Sequence, residues 1–175
     1  MFIRLCAAAA AACLMSFATV AQAAGPAPTD PQIAHIAYTA GALDVAVAKE
    51  ALGKTKTKAV KEFADEMVRD HEAVNKQALE LVKKLNVTPE DNDTSRALTK
   101  QIKEEETKLA KLNGAAFDKA YIDHEVAFHK TVNNALTSTL IPSAKNPQLK
   151  AFLETGLKIF QGHQQHAERI AATLK

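Results

Sequence analysis

The segment Tyr121-Ile-Asp-His-Glu-Val-Ala-Phe-His129 places a carboxylate and an imidazole four residues apart within an apolar helical pattern. Residues at this spacing share one face of an α-helix. The same face carries the apolar residues Ile122, Val132 and Leu136. Glu125 and His129 are therefore predicted to point into a helical core, where buried polar groups need partners.

The rest of the chain shows the same helical periodicity. Its 175 residues include 47% hydrophobic and 5% aromatic side chains, which suits one domain with a core. Apolar residues recur at alternating three- and four-residue steps in segments that span residues 30–53, 57–86, 94–114, 116–140 and 146–175. We expect an all-α fold, an antiparallel four-helix bundle. The segment 94–114 is predicted to cross back along the bundle, which makes the second and fourth helices parallel.

Capping signals set the predicted ends of these helices. Asp30 and Asn146 each precede a proline and are predicted N-caps, and Thr94 or Ser95 is the predicted N-cap of the third helix. The fourth helix is predicted to end before Pro142, because the residue that precedes a proline disfavours the helical conformation.

The first 23 residues have the features of a secretory signal peptide. Arg4 supplies a basic start, residues 5–20 form an alanine-rich apolar run, and Ala21-Gln22-Ala23 offers small residues where a signal peptidase cleaves. We expect cleavage after Ala23, a flexible mature N-terminus over residues 24–30 and a bundle domain over residues 31–175. The mature protein would be periplasmic or secreted. An uncleaved anchor fits less well, because the run is short for a membrane span.

Cleavage would also remove Cys6 and Cys13, so that the mature chain would contain no cysteine. This excludes disulfides, thiol catalysis and cysteine metal sites. Loss of Arg4 leaves 21 basic side chains (22 less one) against 20 acidic ones. Such a balanced surface predicts no nucleic-acid partner, and no integral membrane span is expected after cleavage.

Three of the predicted helices interrupt an apolar stripe with histidine, at His71, His129 and His163, each near the middle of its helix. Mid-helix positions of a bundle lie at similar heights, and Glu125 lies one turn from His129. Converging imidazoles and a carboxylate are the groups from which bundle-core metal sites are built. We therefore predict a single ion of zinc, copper, iron or manganese, with the three histidines as ligands and Glu125 as the fourth ligand or as an orienting group.

Two alternatives remain open. The buried groups could form a purely structural hydrogen-bonded network, in a cell-envelope stress or protein-interaction module whose protein partner binds an exposed helix face. An enzyme that uses the metal with Glu125 as a base is the other alternative, and it needs a route past Tyr121, Phe128 and Phe160. The spacing from His124 to His129 is one residue longer than the His-Glu-x-x-His motif, which excludes zinc-peptidase chemistry. No catalytic residue and no organic cofactor are assigned.

Short motifs occur in order along the predicted mature chain: Phe63-Ala64, Met67-Val-Arg-Asp-His71, Phe117-Asp118, Tyr121-Ile122, Glu125-Val126, His129, Leu140-Ile-Pro142, Asn146, Leu149-Lys150, His163 and His166-Ala167. In this order and spacing they resemble a family of secreted bacterial ferritin-like proteins that is catalogued as a domain of unknown function and often labelled as predicted outer membrane proteins. The likeness covers about residues 31–174. It implies a ferritin-like bundle outside the cytoplasm, and it implies no particular activity.

The chain departs from the di-iron pattern of ferritins. It has no Glu-x-x-His motif on paired helices, and the only mid-height carboxylate of the first helix, Asp44, lies off the best apolar stripe. Ferroxidase chemistry is therefore not expected. Asp65, Glu66, Arg69 and Asp70 also lie off the apolar stripe of their helix and are expected to be solvated or paired with one another at the surface.

Overall fold

In the computed structural model, which describes residues 26–174, most of the chain is helical. The elements are α1 (Asp30–Lys54), α2 (Lys58–Lys84), α3 (Asp93–Leu109), α4 (Gly114–Ala135), a π-helical segment (Leu136–Leu140), α5 (Ile141–Ser143) and α6 (Pro147–Ala171). The described residues contain no β-strand, so the all-α prediction is confirmed for them. The predicted signal peptide, residues 1–23, lies outside the described residues.

The helices pack as two antiparallel pairs, α1 with α2 and α4 with α6, and α3 lies against α1. The side-chain amide of Asn92 donates to the carbonyl of Gln32 at the start of α1, and the Lys54 ammonium donates to the carbonyl of Leu109 at the end of α3. The helix α3 therefore runs parallel to α1. The Thr57 hydroxyl, just before α2, donates to the carboxylate of Asp118 near the start of α4. The helices α2 and α4 thus start at the same end and run parallel, as predicted.

Two helices begin at residues other than the predicted ones. The N-cap of α1 is Thr29, whose N–H donates to the side chain of Gln32 at 3.1 Å, and not Asp30. The carboxylate of Asp30 instead accepts from the backbone N–H groups of Lys145 and Asn146, at 2.8 and 2.9 Å, and so ties the start of α1 to the start of α6. The Asp-Pro sequence alone fits an N-cap equally well. The contact of Asp30 with the start of α6 is what determines the role of its side chain.

The N-cap of α3 is Asn92 and not Thr94 or Ser95, because Asn92 Oδ1 accepts from the backbone N–H of Ser95 at 3.1 Å. The prediction for α6 is correct. There Asn146 Oδ1 accepts from the N–H groups of Gln148 and Leu149, at 2.9 and 3.3 Å.

The fourth predicted helix continues past its predicted end, through the π-helical segment and α5. Pro142 has no N–H group with which to bond the carbonyl of Ser138, so the regular α-helical ladder is incomplete there. The hydroxyl of Ser138 bonds to the carbonyl of Asn134 at 2.7 Å, which competes further with regular α-helical bonding. The wider turn of this segment leaves both Leu136 and Leu140 buried.

The buried apolar side chains form two groups along the bundle. One surrounds Phe63, Phe117 and Tyr121, and the other surrounds Ile33, Leu136 and Leu153. Along both α2 and α4, the histidine of the apolar stripe lies between residues of the first group and residues of the second. None of the described helices is long and apolar enough to cross a membrane.

Candidate metal centre

The three predicted histidines meet in the bundle interior. The ring centroids of His71 and His129 are 5.7 Å apart, and those of His71 and His163 and of His129 and His163 are 5.3 and 5.4 Å apart. One nitrogen from each ring lies within 4.8 Å of those from the other two. All three side chains are buried. The equal depth of His71 and His129 in two parallel helices, which the sequence predicts, explains this convergence.

Asp44 of α1 joins this group. Its side chain is buried, and Oδ2 lies 3.5 Å from His71 Nε2 and 3.8 Å from His129 Nε2. Asp44 is the mid-height carboxylate that the sequence places off the best apolar stripe of the first helix, and it was not among the predicted ligands. The helix α1 packs against α2, α3 and α4, so it is buried on more faces than its strongest apolar stripe.

A second stripe of α1 is the sequence feature that could have indicated the burial of Asp44. Small residues recur at three- and four-residue steps on both sides of Asp44, at Ala34, Ala37, Gly41, Ala48 and Ala51. Small side chains let neighbouring helices approach closely, and a carboxylate inside such a stripe has a high chance of being buried with them.

Glu125 orients His129. The fully buried carboxylate places Oε2 3.3 Å from His129 Nδ1, and the backbone carbonyl of Glu125 lies 3.1 Å from the same nitrogen. A proton on Nδ1 donates to the backbone carbonyl of Glu125, and this assignment leaves the lone pair of Nε2 directed toward Asp44. Of the two predicted roles for Glu125, the orienting role therefore fits the geometry better.

His163 is held from outside in a similar way. Its Nε2 lies 3.0 Å from Asp70 Oδ2, and the guanidinium of Arg69 donates to the other oxygen of Asp70 at 2.7 Å. Although burial opposes the effect, these two hydrogen bonds hold the pKa of Asp70 below its ordinary value. Asp70 was expected at the surface and is half-buried instead. A carboxylate that orients a histidine from behind is typical of protein metal sites.

A further pair lies beside Asp70 and was not predicted. His166 Nδ1 lies 2.6 Å from Glu66 Oε2, and both side chains are half-buried. Glu66, Asp70 and His163 also bring one donor atom each within 4.8 Å of one another. The spacing of Glu66 to Asp70 and of His163 to His166 puts each pair on one helix face, which is the signal that could have indicated the pairing.

Several buried donor and acceptor atoms of the cluster have no hydrogen-bond partner among residues 26–174. They are both carboxylate oxygens of Asp44 and of Glu125, both ring nitrogens of His71, Nε2 of His129, Nδ1 of His163 and the hydroxyl of Tyr121. Buried polar atoms without partners are rare in folded proteins, and here they are concentrated in one place.

Burial also determines the protonation of the cluster. It raises the pKa of Asp44 well above its ordinary value, with a further contribution from the charge of Glu125, and it raises the pKa of Glu125 to about 8. Burial lowers the pKa of His71 well below its ordinary value, and that of His163 as well. At neutral pH the imidazoles of His71 and His163 are thus uncharged, which is the form that binds metal ions.

Aromatic rings cover the cluster without closing it. The ring of Phe160 stacks on His71 with centroids 4.8 Å apart and planes at 10°, and Phe128 meets His129 edge to face at 5.9 Å. A cavity of about 450 Å³ nevertheless reaches both histidines. The cluster is therefore open to a small molecule.

Fold and site together define an all-helical bundle with a buried cluster of histidines and carboxylates. The chain belongs to the family described as domain of unknown function DUF4142, whose family model matches residues 16–170. No curated protein and no solved structure matches the chain. The family match agrees with the resemblance to a domain of unknown function, and it assigns no biochemical role.

Proposed function

We propose that the protein binds a single metal ion in the interior of a ferritin-like helical bundle. The ligands are His71 and His129 through Nε2, His163 through Nδ1, and a carboxylate oxygen of Asp44. Glu125 and Asp70 orient the imidazoles. Zinc, copper, iron and manganese are the candidate ions, because each accepts imidazole and carboxylate ligands.

The observation that supports this proposal is the set of unpaired atoms in the cluster. Each buried polar group left unpaired costs roughly 1 to 3 kcal/mol, so several in one place would consume much of the stability of a domain. A metal ion accepts lone pairs from imidazole and carboxylate together and so removes several of these costs at once. A purely structural network, as in the interaction-module alternative, would instead pair these atoms with one another.

The distances between the donor atoms fit an ion. Ligand bonds to zinc are about 2.0 to 2.2 Å, so ligands of one tetrahedral ion lie roughly 3 to 4 Å from each other. The separations of Asp44 Oδ2 from His71 Nε2 and His129 Nε2, 3.5 and 3.8 Å, lie in that range. One nitrogen of each histidine lies within 4.8 Å of those of the other two, so binding of one ion would draw these side chains closer together.

The architecture and the location belong to the same proposal. Four long helices with α3 as a crossover support a ferritin-like arrangement, and the sequence of residues 1–23 supports export to the periplasm or the medium. Sequencing the N-terminus of the protein from an envelope or culture fraction tests the export. An intact N-terminus at Met1 would contradict it.

The test of metal binding uses protein purified without an affinity tag. Elemental analysis and titration with each of the four ions are expected to give one equivalent of metal for the wild type. His71→Ala and His129→Ala are expected to lose most of this uptake. His124→Ala is the matched control, because His124 lies on α4 like His129 but stacks on Phe128 outside the cluster.

Two outcomes would overturn the proposal. One is a wild type that takes up no ion, and the other is full uptake by the His71→Ala and His129→Ala variants. In either case, loss of stability in these variants together with a protein partner that remains bound after chelation would favour the interaction-module alternative.

A further inference from the structure

The cavity next to the metal centre is long and mostly apolar. Its volume of about 450 Å³ lies within the range of small-molecule pockets, about 300 to 1,000 Å³. Apolar side chains from several helices line it, among them Ile36, Val74, Val132, Leu136, Leu153 and Phe160. Protein interiors are otherwise close-packed, so a space of this size in a bundle core requires an explanation.

The cavity extends along the bundle axis. Its walls include residues from His71 to Ala78 on α2 and from Phe128 to Leu140 on α4 and the π-helical segment. At 1.5 Å per helical residue, these stretches span roughly 10 and 18 Å. An elongated molecule therefore fits better than a compact one.

The two ends of the cavity differ in polarity. The helices α2 and α4 run parallel, and on each the stretch that lines the cavity begins at or next to a histidine, His71 or His129. Both imidazoles therefore lie at one end. The opposite end is formed by apolar residues such as Leu140 and Leu153. Exposed polar residues of α3, such as Gln101, lie at the rim.

The side chains around the polar end determine which head group it can accept. Asp44 Oδ2 lies within 3.8 Å of both imidazoles, and Glu125 Oε2 lies 3.3 Å from His129. The described residues that line the cavity include no lysine or arginine, so an anionic head group would be buried there without a cationic partner. The ring nitrogens of His71 have no hydrogen-bond partner among the described residues, so an uncharged oxygen can pair with an imidazole N–H.

We propose that this cavity binds an elongated, mostly apolar molecule with one uncharged oxygen head group, such as a long-chain alcohol, and that the oxygen lies against His71 and His129. The apolar walls supply the affinity, and the imidazole end fixes the orientation. This proposal goes beyond metal binding and does not depend on it, because the walls and the imidazoles are present in the metal-free protein.

The first experiment is calorimetric titration of chelator-treated protein with 1-decanol and, separately, with decanoate at neutral pH. We expect 1-decanol to bind with one-to-one stoichiometry and decanoate to bind at least about tenfold more weakly. Equal affinity for the two probes would contradict the uncharged head group, and absence of binding by 1-decanol would overturn the proposal.

The second experiment fills the cavity. Ala135 lines it on α4, and Ala135→Leu is expected to weaken 1-decanol binding at least about tenfold. Ala127→Leu is the matched control, since Ala127 is exposed on the same helix and does not line the cavity. If Ala135→Leu does not fold, Ala78→Leu on α2 makes the same test.

Wild-type affinity for 1-decanol in the folded cavity-filling variant would overturn the proposal. If the wild type binds neither probe and the cavity-filling variant is more stable than the wild type, the cavity is a packing defect and the proposal is wrong. Because metal uptake is measured separately with the histidine variants, failure of either proposal leaves the other intact.

Discussion

The two ring nitrogens of His129 have different surroundings. Nδ1 faces the carbonyl and the carboxylate of Glu125, and Nε2 faces Asp44 and has no hydrogen-bond partner within residues 26–174. The backbone carbonyl of Glu125, with its side chain close by, therefore favours the tautomer that presents a lone pair to the centre of the cluster. The same carboxyl group is costly to ionise when no ion is bound, because it is fully buried.

Glu125 is therefore expected to make the metal-free protein less stable as the pH rises. Burial raises its pKa from 4.5 to about 8, so the folded state holds a proton that the unfolded state has lost. The stability contribution is fully present below about pH 4.5 and is lost as the pH rises to about 8. Glu125→Gln removes this loss. Its free energy of unfolding is expected to rise relative to the wild type between pH 5 and pH 8, by up to a few kcal/mol.

Urea unfolding of the two chelator-treated proteins across this range measures the difference. The lowered pKa of His71 acts oppositely, since stability is lost as the pH falls through 6.5, but this effect is common to both proteins and cancels. Glu154→Gln is the control, because Glu154 is exposed on α6. A Glu125→Gln difference that stays constant or shrinks toward pH 8 would contradict the expectation.

At the scale of the helix, one stripe of α1 combines small residues with the acidic residue Asp44, and α1 packs against three neighbours. A Cβ atom added at Gly41 would lie 2.5 Å from Asn75 Oδ1 of α2. The approach of α1 to α2 therefore depends on a glycine at this position. By contrast, a Cβ atom at Gly162 of α6 would meet no atom of the described residues within 4 Å.

Alanine at these two glycines is expected to have different effects on stability. Gly162→Ala should raise the free energy of unfolding by about 0.5 to 1 kcal/mol, because alanine loses less backbone entropy in a helix. Gly41→Ala should not show this gain, because its Cβ displaces the amide of Asn75. Chemical denaturation of the two variants tests the contrast. An equal gain at both positions would show that Asn75 moves aside without cost.

How well the sequence predicts each element depends on how far apart along the chain the interacting residues lie. The apolar periodicity of α2, α4 and α6 arises within each helix, so their existence and the facing histidines are predictable from it. The roles of Asp30 and Asp44 are not, because each depends on another part of the chain, the start of α6 in one case and the packing of α1 against three helices in the other. The π-helical segment is only partly predictable, since Pro142 indicates an irregularity in the helix but does not specify its form.

At the scale of the whole molecule, the proposed ligands come from all four long helices. Asp44 lies on α1, His71 on α2, His129 on α4 and His163 on α6. The crossover α3 makes this possible, because it returns the chain so that α4 starts at the same end as α2. The pair α1 and α2 and the pair α4 and α6 thus each supply two of the four donors.

This distribution of donors has a consequence for the time that an ion stays bound. An ion that joins both helix pairs must release ligands from both before it leaves, and the mostly apolar walls of the cavity disfavour the passage of a hydrated cation. Metal exchange is therefore expected to be about as slow as partial opening of the bundle, whatever the equilibrium affinity. Exchange of a bound isotope that is complete within seconds in native conditions would contradict this. A protein with such kinetics retains its ion through brief metal scarcity and is poorly suited to rapid delivery.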